Sequence, residues 1–341
     1  MSQVAVIGAG AWGTALAMVL GRGGNHGVQL WAYEPEVCSS INTRHVNEAF
    51  FDGMEIPRSV RASNDFAEVL QRAEVVVSVM PSHHCRRLFQ QMAPHLKPEM
   101  LIISASKGIE NDTFLRMSEV IASVVEQTRG FVPQLVAISG PSFAREVARG
   151  DPTAITAAST EQEAATRVQQ VFNDPAFRVY THDDIVGVEL GGSLKNVIAI
   201  AAGICDGLGL GHNSVAALIT RGLTEITRLV VACGGRRDTM AGLAGLGDLV
   251  LTCTGSLSRN RTVGVELGRG RKLPEIIAGM HGMVAEGVLT TNAAMGLASS
   301  RGVNMPMTEQ VYAILHDGKE PKVAMRELLA RPATMEFAGF I

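Results

Sequence analysis

The most restrictive feature of the sequence is a set of three glycines placed directly after its first apolar run. Val4–Ile7 leads into Gly8, Gly10 and Gly13, with the spacing G-x-G-x-x-G, and an uncharged apolar stretch follows. In this pattern the first glycine permits a tight turn, the second lets the backbone approach a pyrophosphate, and the third lets a helix pack against the strand. Since N–H groups at a helix start bind phosphate, the sequence predicts a dinucleotide-binding loop.

An acidic residue stands where such a loop needs one. Glu34 lies 21 positions beyond Gly13 and follows a second apolar run. A carboxylate at this spacing binds a ribose hydroxyl, and it would repel the 2′-phosphate of NADP. The residues therefore favour NAD, but Pro35 follows directly and the sequence leaves the choice between NAD and NADP open.

The first half of the chain alternates short apolar runs with helical patterns. Strands are predicted at Val4–Ile7, Val28–Trp31, Val75–Val79, Leu101–Ser104 and Leu135–Ser139, with further candidates at Ala154–Ala158 and Arg178–Tyr180. Helical patterns lie between them at Thr14–Leu20, Phe66–Ala73 and Thr113–Glu126. Continuous apolar runs are typical of parallel strands buried on both faces, and the alternation predicts an α/β, doubly wound sheet.

The pattern changes near Thr181–Asp184. Beyond it strand-like runs fade, and a helical face is predicted from Leu190, Leu194, Val197, Ile198 and Ala201. We therefore expect two domains, a dinucleotide-binding domain over 1–182 and an all-helical substrate-binding and catalytic domain over 183–341.

Composition excludes several classes of protein. Of the 341 residues, 46% are hydrophobic and 18% are charged, which excludes general disorder. With a formal charge of −3 and an aromatic content of 5%, the chain is not expected to bind nucleic acid. The five cysteines show no paired spacing, which favours reduced thiols in the cytoplasm. The apolar stretch at the start lacks the preceding basic residues of a signal peptide, and no stable membrane insertion is expected.

Two basic residues of the second half are candidates for chemistry. Lys195 has small neighbours on its predicted helix, so its amine could enter a cavity, where desolvation would lower its pKa. Arg259 follows Ser258, a good N-cap, and a cation at a helix start is unfavourable unless an anion binds there. The alternative for each is an ordinary solvated basic side chain.

A metal site is not expected. His83 and His84 are adjacent, and adjacent side chains are expected to diverge on a helix or strand, whereas zinc ligands are spaced apart.

Taken together, the segments resemble the NAD(P)-dependent glycerol-3-phosphate dehydrogenases of the bacterial type. The resemblance is carried by the glycine loop and by Ser106–Glu110, Ser139–Ala144, Leu194–Val197, Ala241–Leu249, Ser258–Arg261 and Val284–Gly287, in that order along the chain. It implies a Rossmann-type domain followed by a helical domain similar to that of 6-phosphogluconate dehydrogenase. The implied reaction interconverts dihydroxyacetone phosphate and sn-glycerol 3-phosphate with NAD(P)H and supplies phospholipid synthesis, and the implied assembly is a homodimer.

The resemblance also implies roles for individual residues. Lys195 would be the catalytic acid and base. The implied substrate-binding residues are Lys107, Gly140, Ser142, Lys195, Asn196, Asp248, Thr252, Ser258, Arg259 and Asn260. The implied cofactor-binding residues are Gly8, Gly10, Ala11, Trp12, Gly13, Tyr33, Glu34, Lys107, Ala144, Arg259, Val284 and Glu286. Tyr33 stands where many family members have histidine or arginine, which weakens the case for a strict NADP preference.

Two other functions remain open. A β-hydroxyacid dehydrogenase also places a lysine and an asparagine one turn apart on a helix, but it acts on carboxylates and does not need the Gly247-Asp248 or Ser258–Asn260 segments. A nicotinamide-nucleotide-binding protein without turnover would need the glycine loop but not Lys195 with Arg259.

Overall fold

The structure is a computed structural model that describes residues 2–24, 26–51, 53–280 and 285–332. Its first part contains a single eight-stranded sheet. The strands are β1 Ser2–Ile7, β2 His26–Trp31, β3 Val60–Ser63, β4 Val75–Ser78, β5 Leu101–Ser104, β6 Gln134–Ser139, β7 Thr153–Ala158 and β8 Phe177–His182. Their order is β3-β2-β1-β4-β5-β6-β7-β8. All neighbours pair in parallel except β6 and β7, which are antiparallel.

The predicted doubly wound sheet is therefore confirmed, including the two further candidate strands. The missed strand is β3, whose four residues, Val60 to Ser63, include the exposed Arg61. β3 lies at the edge of the sheet, where a strand does not need to be apolar throughout. Because β1 has β2 on one side and β4 on the other, the chain reverses its direction of winding there. Ligands of such sheets bind at this reversal, beyond the carboxyl ends of the strands.

Helices cover the sheet. They are α1 Ala11–Gly21, α2 Pro35–Arg44, α3 Phe66–Leu70, α4 Cys85–Met92, α5 Met117–Arg129, α6 Ala144–Arg149 and α7 Gln162–Val171. The largest buried cluster of this part joins strand residues such as Val6, Leu30 and Val77 to Leu16 and Leu20 of α1. The core thus forms because the strands are apolar on both faces.

The second part of the chain is helical, as predicted. Its helices are α8 Ile185–Gly207, α9 His212–Ala232, α10 Asp248–Thr254, α11 Arg259–Gly268, α12 Leu273–Ala278, α13 Glu286–Ser300, α14 Pro306–His316 and α15 Pro321–Leu329. A five-residue π-helical turn, Leu243–Gly247, leads directly into α10.

Helix α8 differs from its predicted one-sided pattern. Leu194 and Ile198 belong to one buried cluster, whereas Val197 and Ile204 belong to another, so the helix is packed on several sides. α8 is also long and apolar enough to span a membrane, but 83% of its apolar window is buried inside the protein. Packing accounts for this hydropathy, since a helix that is apolar all round is typical of a protein core as well as of a membrane span.

Contacts divide the chain into two compact units. The first contains the residues up to Ser106 and Met117–Ile185, and the second contains Lys107–Arg116 together with the residues from Val186 onward. A single boundary near residue 182 does not describe this arrangement, because the short 107–116 segment groups with the helical unit. Sequence periodicity carries no signal for such a grouping, which depends on tertiary contacts.

Four glycines bring α8 and α11 into close contact. A Cβ on Gly203 would lie 2.1 Å from the Arg261 carbonyl oxygen, and one on Gly264 would lie 2.0 Å from that of Ile200. A Cβ on Gly207 or Gly268, one turn further along, would lie 2.2 Å or 2.6 Å from a backbone oxygen of the other helix. These backbones touch because no side chain separates them, and their contact fixes the start of α11 beside the middle of α8.

We expect Gly264→Ala to destabilise the protein by about 2 kcal/mol, because a methyl group there overlaps a backbone oxygen that cannot rotate away. Urea unfolding of the variant and the wild type measures the difference. The matched control is Gly279→Ala, whose added Cβ would meet its nearest atoms at 3.5 Å and 3.6 Å. Equal stability of the Gly264 variant and the wild type would contradict the close contact.

Candidate active site

The glycine loop has the geometry that pyrophosphate binding requires. Gly8 has φ +119°, and a Cβ on Gly13 would lie 1.8 Å from the Gly8 carbonyl oxygen. By contrast, no atom lies within 4 Å of a Cβ built on Gly10, the residue that precedes α1. Gly8 and Gly13 therefore serve the turn and the packing of α1, whereas Gly10 leaves open space over a helix start that has no side-chain cap. The half-buried Ala11 and Trp12 form its first turn.

A buried asparagine that sequence reasoning missed holds this loop. Asn47 is fully buried, and its Nδ2 donates to the Ala9 carbonyl oxygen and to Thr14 Oγ1, both at 2.8 Å. Thr14 Oγ1 in turn donates to the same carbonyl at 3.1 Å. Asn47 lies between α2 and β3, 33 positions from Thr14, so no local pattern could have identified it.

The two residues after the second strand are exposed. Tyr33 is 70% exposed, and the exposed Glu34 precedes α2 as its N-cap residue. Trp31, at the end of β2, stacks on Phe66 with 4.5 Å between ring centroids and fixes the strand end. The carboxylate of Glu34 is therefore available to a ligand.

A second loop of the first unit follows β6. Gly140 has φ +147°, and a Cβ there would lie 2.9 Å from the Ile155 Cα. Ser142 Oγ donates to the Gly140 carbonyl at 2.9 Å, and Ala144 begins α6. The loop after β6 and the loop after β1 both lie at the carboxyl edge of the sheet, because β1 and β6 belong to its parallel part.

In the second unit, two lysines share one buried carboxylate. Asp248 is 1% exposed and Lys195 is 6% exposed. Lys195 Nζ donates to Asp248 Oδ1 and, at 2.8 Å, to Thr252 Oγ1. Lys107 Nζ donates to Asp248 Oδ2 at 2.6 Å. The structure thus brings together four of the residues that the sequence identified, with a net charge of +1 on three ionised groups.

Local structure explains how the carboxylate reaches Lys195. The π turn 243–247 ends at Asp248, and Thr252 lies one helical turn later on α10. Gly191, one turn before Lys195 on α8, has no side chain, and a Cβ there would lie 2.9 Å from the Ala244 carbonyl oxygen. The small residue beside Lys195 therefore admits the backbone that carries Asp248, rather than leaving an empty cavity as the sequence suggested.

Burial and charge shift the pKa values in this cluster. Desolvation lowers the pKa of Lys195 from 10.5 to about 8, because it outweighs the attraction of Asp248, and Lys107 lowers it further. Burial alone would raise the pKa of Asp248, but the two ammonium groups outweigh burial and hold it below its ordinary value. An amine with a pKa of about 8 exists in both forms near neutral pH, as proton transfer requires.

An asparagine pair adjoins the amine. Asn260 Oδ1 accepts from the Gly287 backbone N–H at 2.9 Å, and Asn260 Nδ2 donates to Asn196 Oδ1 at 2.9 Å. Because a backbone N–H can only donate, it fixes which end of the Asn260 amide faces Asn196. Asn196 then uses its oxygen as the acceptor, and its own Nδ2 group remains a donor.

The start of α11 carries an exposed arginine. Ser258 caps the helix by accepting from the Arg261 N–H at 3.2 Å, and the exposed Arg259 is the first helical residue. Within the described ranges, Arg259 makes no hydrogen bond or salt bridge. Desolvation lowers the pKa of its guanidinium, and the charge of Glu286 at the start of α13 only partly opposes this. Val284 lies outside the described residues.

One detail of the sequence reasoning was wrong. The rings of His83 and His84 do not diverge, since their centroids are 3.9 Å apart and the planes are inclined by 53°. The 3₁₀ turn Ser82–His84 explains this, because its backbone is neither α-helical nor extended.

Known proteins were compared with the chain. The family model described as the NAD-dependent glycerol-3-phosphate dehydrogenase N-terminus matches residues 3–165, and the model described as its C-terminus matches residues 184–326. A glycerol-3-phosphate dehydrogenase [NAD(P)+] of Koribacter versatilis is 68% identical over 336 residues, covering 98% of this chain and 99% of that protein. Its counterpart in Acidobacterium capsulatum is 55% identical and covers 98% and 100%.

Solved structures show the same likeness. The crystal structure of glycerol-3-phosphate dehydrogenase from Coxiella burnetii is 41% identical, with a TM-score of 0.91 over 97% of this chain and 99% of that chain. A ketopantoate reductase family protein of Ralstonia eutropha is 17% identical with a TM-score of 0.60, covering 95% of this chain and 99% of that chain, and it shares the fold alone. With both halves of the family model matched and close relatives covered over nearly their whole length, the chain belongs to the NAD(P)-dependent glycerol-3-phosphate dehydrogenase family.

Proposed function

We propose that the protein interconverts dihydroxyacetone phosphate and sn-glycerol 3-phosphate with NAD(P)H. The single observation that carries the proposal is the buried amine of Lys195, held on Asp248 and Thr252 with a pKa of about 8. Reduction of a ketone needs a proton donor at the carbonyl oxygen, and this amine is suited to that task. Membership of the family indicates which ketone is the substrate. The other residues of the site would hold the cofactor, the amine and the phosphate group.

The first unit fits a nicotinamide dinucleotide. The open space over Gly10, the uncapped start of α1 and the positive φ of Gly8 match the needs of a pyrophosphate. Gly13, Ala11 and Trp12 complete this loop, and the resemblance adds Tyr33, Glu34, Ala144, Val284 and Glu286. When bound, the nicotinamide supplies the hydride in reduction and accepts it in oxidation.

Lys195 provides the proton. In reduction its ammonium donates to the substrate oxygen, on which negative charge develops, and becomes a neutral amine. In oxidation the neutral amine accepts the hydroxyl proton. A well-placed general acid contributes about 10²–10⁴-fold to the rate.

Asp248 keeps the amine in place through both directions. Its carboxylate accepts from Lys195 and Lys107, and Thr252 accepts a further N–H of Lys195. Two of the three ammonium hydrogens are thereby occupied by fixed acceptors, which leaves one for the substrate. Lys107, with a side chain 19% exposed, places a second positive charge beside the same carboxylate and stabilises the developing oxyanion.

Phosphate binding is assigned to the start of α11. The Arg259 guanidinium and the helix N-terminus both attract a dianion, and Ser258 and Asn260 lie beside them. Asn196 contributes a donor toward the substrate, because its oxygen is already bound by Asn260. Gly140 and Ser142 are proposed to contact the substrate as well, on the basis of the resemblance. Binding the remote phosphate orients the ketone, which lowers the entropy cost of reaction.

The proposed function also implies a pathway, a compartment and an assembly. The product would supply phospholipid synthesis, and we place the protein in the cytoplasm as a homodimer, on the basis of the family resemblance and the lack of paired cysteine spacing.

Lys195→Ala is expected to lower kcat for dihydroxyacetone phosphate by about 10³-fold, because the proton donor is lost. Asp248 keeps Lys107 as a partner, so the variant should fold, and its Kd for NADH should stay close to that of the wild type. Stopped-flow oxidation of NADH and calorimetric titration measure the two quantities. Lys322→Ala, at an exposed position of α15, is the control. A variant with wild-type turnover would remove Lys195 from the chemistry.

Arg259→Ala should raise KM for dihydroxyacetone phosphate by about 10–100-fold, the effect of losing a hydrogen bond to a charged group. Reduction of dihydroxyacetone, which has no phosphate, should be little changed. The control is Arg261→Ala on the same helix, since Arg261 already pairs with Asp206 at 2.6 Å. An equal loss with both substrates would show that Arg259 does not bind the phosphate. A wild-type preference for a β-keto acid would favour a β-hydroxyacid dehydrogenase instead.

The cofactor preference depends on Glu34. We expect a higher kcat/KM with NADH than with NADPH. Glu34→Ser should lower the ratio of these two values by about tenfold, equivalent to about 1.4 kcal/mol of lost repulsion between the carboxylate and the 2′-phosphate. Glu36→Ser, in the exposed first turn of α2, is the matched control. If both glutamate variants leave the ratio unchanged, Glu34 does not select the cofactor.

A further inference from the structure

The short segment 107–116 is anchored to the helical unit at several separate points. It enters from β5 through Ala105 and Ser106 and continues into α5 at Met117, yet its contacts are with the helices of the second unit. Lys107 is its first residue and binds Asp248. The remaining anchors involve residues to which neither the sequence nor the family resemblance assigns a role.

The far end of the segment is held by a buried ion pair. Arg116 Nη1 lies 2.5 Å from Glu189 Oε2, and the two side chains are 14% and 5% exposed. Glu189 belongs to α8 and lies less than two turns before Lys195. The backbones of Ile109 and Arg116 also form an isolated antiparallel bridge, which closes the segment into a loop.

Phe114 fills a space that a glycine creates. A Cβ built on Gly296 of α13 would lie 2.1 Å from Phe114 Cζ and 2.2 Å from Cε1. Phe114 has φ +59°, an unfavourable conformation for a bulky residue, which persists only where the surroundings impose it. Its ring, together with the buried Ile109, packs against the cluster that contains Leu194 and Ile198.

A polar contact joins the residue next to Lys107 to α8. Ser193 Oγ lies 3.2 Å from the Gly108 carbonyl oxygen and 2.7 Å from the Glu189 carbonyl oxygen, so these two acceptors share its one hydroxyl hydrogen. Glu189 and Ser193 lie one turn apart, so the same side of α8 holds both ends of the segment. Lys107 has a long flexible side chain, and its ordering costs up to about 2 kcal/mol of rotamer entropy, so a fixed backbone favours its contact with Asp248.

We propose that Phe114, Arg116 and Glu189 are positioning residues, which hold the 107–116 segment on the helical unit so that Lys107 stays on Asp248. The proposal rests on the proposed function, in which Lys195 is the proton donor. None of the three residues needs to touch the substrate or the cofactor. They act through Lys107.

The charges around Lys195 give this proposal a specific consequence. Asp248 and Lys107 are the ionised groups that influence its amine, and Cys253 is a neutral thiol, since burial raises its pKa to about 12. The positive charge of Lys107 disfavours the ammonium form of Lys195. If the segment loosens, Lys107 moves away from Asp248, its positive charge no longer opposes the ammonium form of Lys195, and the amine should hold its proton to higher pH.

Two variants loosen the segment from different sides. Gly296→Ala places a methyl group against Phe114 and changes nothing in the segment or in α8, and alanine favours a helix by about 1 kcal/mol over glycine. The double variant Arg116→Met/Glu189→Met removes both members of the ion pair together, so neither charge is left buried without the other. Thr113→Ala is the control, because it removes two exposed hydrogen bonds within the same segment, to Glu110 and from the Leu115 N–H, and touches none of its contacts with the helices.

The test combines two measurements on the full-length enzyme. Hydrogen exchange followed by mass spectrometry reports whether peptide 107–116 opens faster, independently of activity. The pH dependence of dihydroxyacetone phosphate reduction reports the ionisation of Lys195. Both loosening variants should exchange faster, and the pH above which reduction declines should rise by about one unit. Thr113→Ala should leave this pH unchanged.

A double-mutant cycle separates positioning from general damage. Lys107→Ala should produce the same upward shift, and adding Gly296→Ala to it should produce no further shift, since both changes act through one group. Faster exchange with an unchanged pH profile, additive shifts, or unaltered exchange in both variants would overturn the proposal. A wild-type enzyme inactive on dihydroxyacetone phosphate would instead contradict the proposed function, and the exchange measurement would then test the anchoring alone.

Discussion

One buried carboxylate shared by two lysines is the interaction on which the site depends. Placing Lys195 out of water costs several kcal/mol unless its charge is matched, and Asp248 supplies the match. Since Lys107 binds the same carboxylate, Asp248 holds Lys195 in place but offsets only part of its positive charge. The result is an amine with a pKa of about 8, between the value of a free lysine and that of an unpaired buried one.

The helical unit is organised around this cluster. Glycines allow α8 and α11 to touch, which brings Asn260 to Asn196 and puts Arg259 at the start of a helix next to them. Gly191 admits the π turn that delivers Asp248. These glycines thus let the backbone of α8 touch both α11 and the π turn. Several side chains to which the proposed mechanism assigns a role are therefore placed by residues that have no reactive group.

Much of the fold could be predicted because its signals are local. The strands of the parallel sheet are continuous apolar runs, and the glycine loop has a spacing with one physical meaning. β3 was missed because an edge strand tolerates a charged residue such as Arg61. Within the site, Lys195 became a candidate through its small neighbours and Arg259 through its unfavourable place at a helix start, and their roles stay predictions. The contact between Lys195 and Asp248 spans 53 positions, and the grouping of 107–116 with the helices depends on Phe114, Arg116 and Glu189. Neither has a local signal, because both arise from packing between distant segments.

The central claim is that Lys195 is a buried amine poised to exchange a proton near neutral pH. The most direct measurement is an NMR titration of its Nζ in the full-length protein, with ¹⁵N-labelled lysine and a Lys195→Arg variant to assign the signal. The account predicts a pKa of about 8. A titration near 10.5, the ordinary value of a solvated lysine, would contradict the account, because burial would then not outweigh the attraction of Asp248 and the amine would stay protonated near neutral pH.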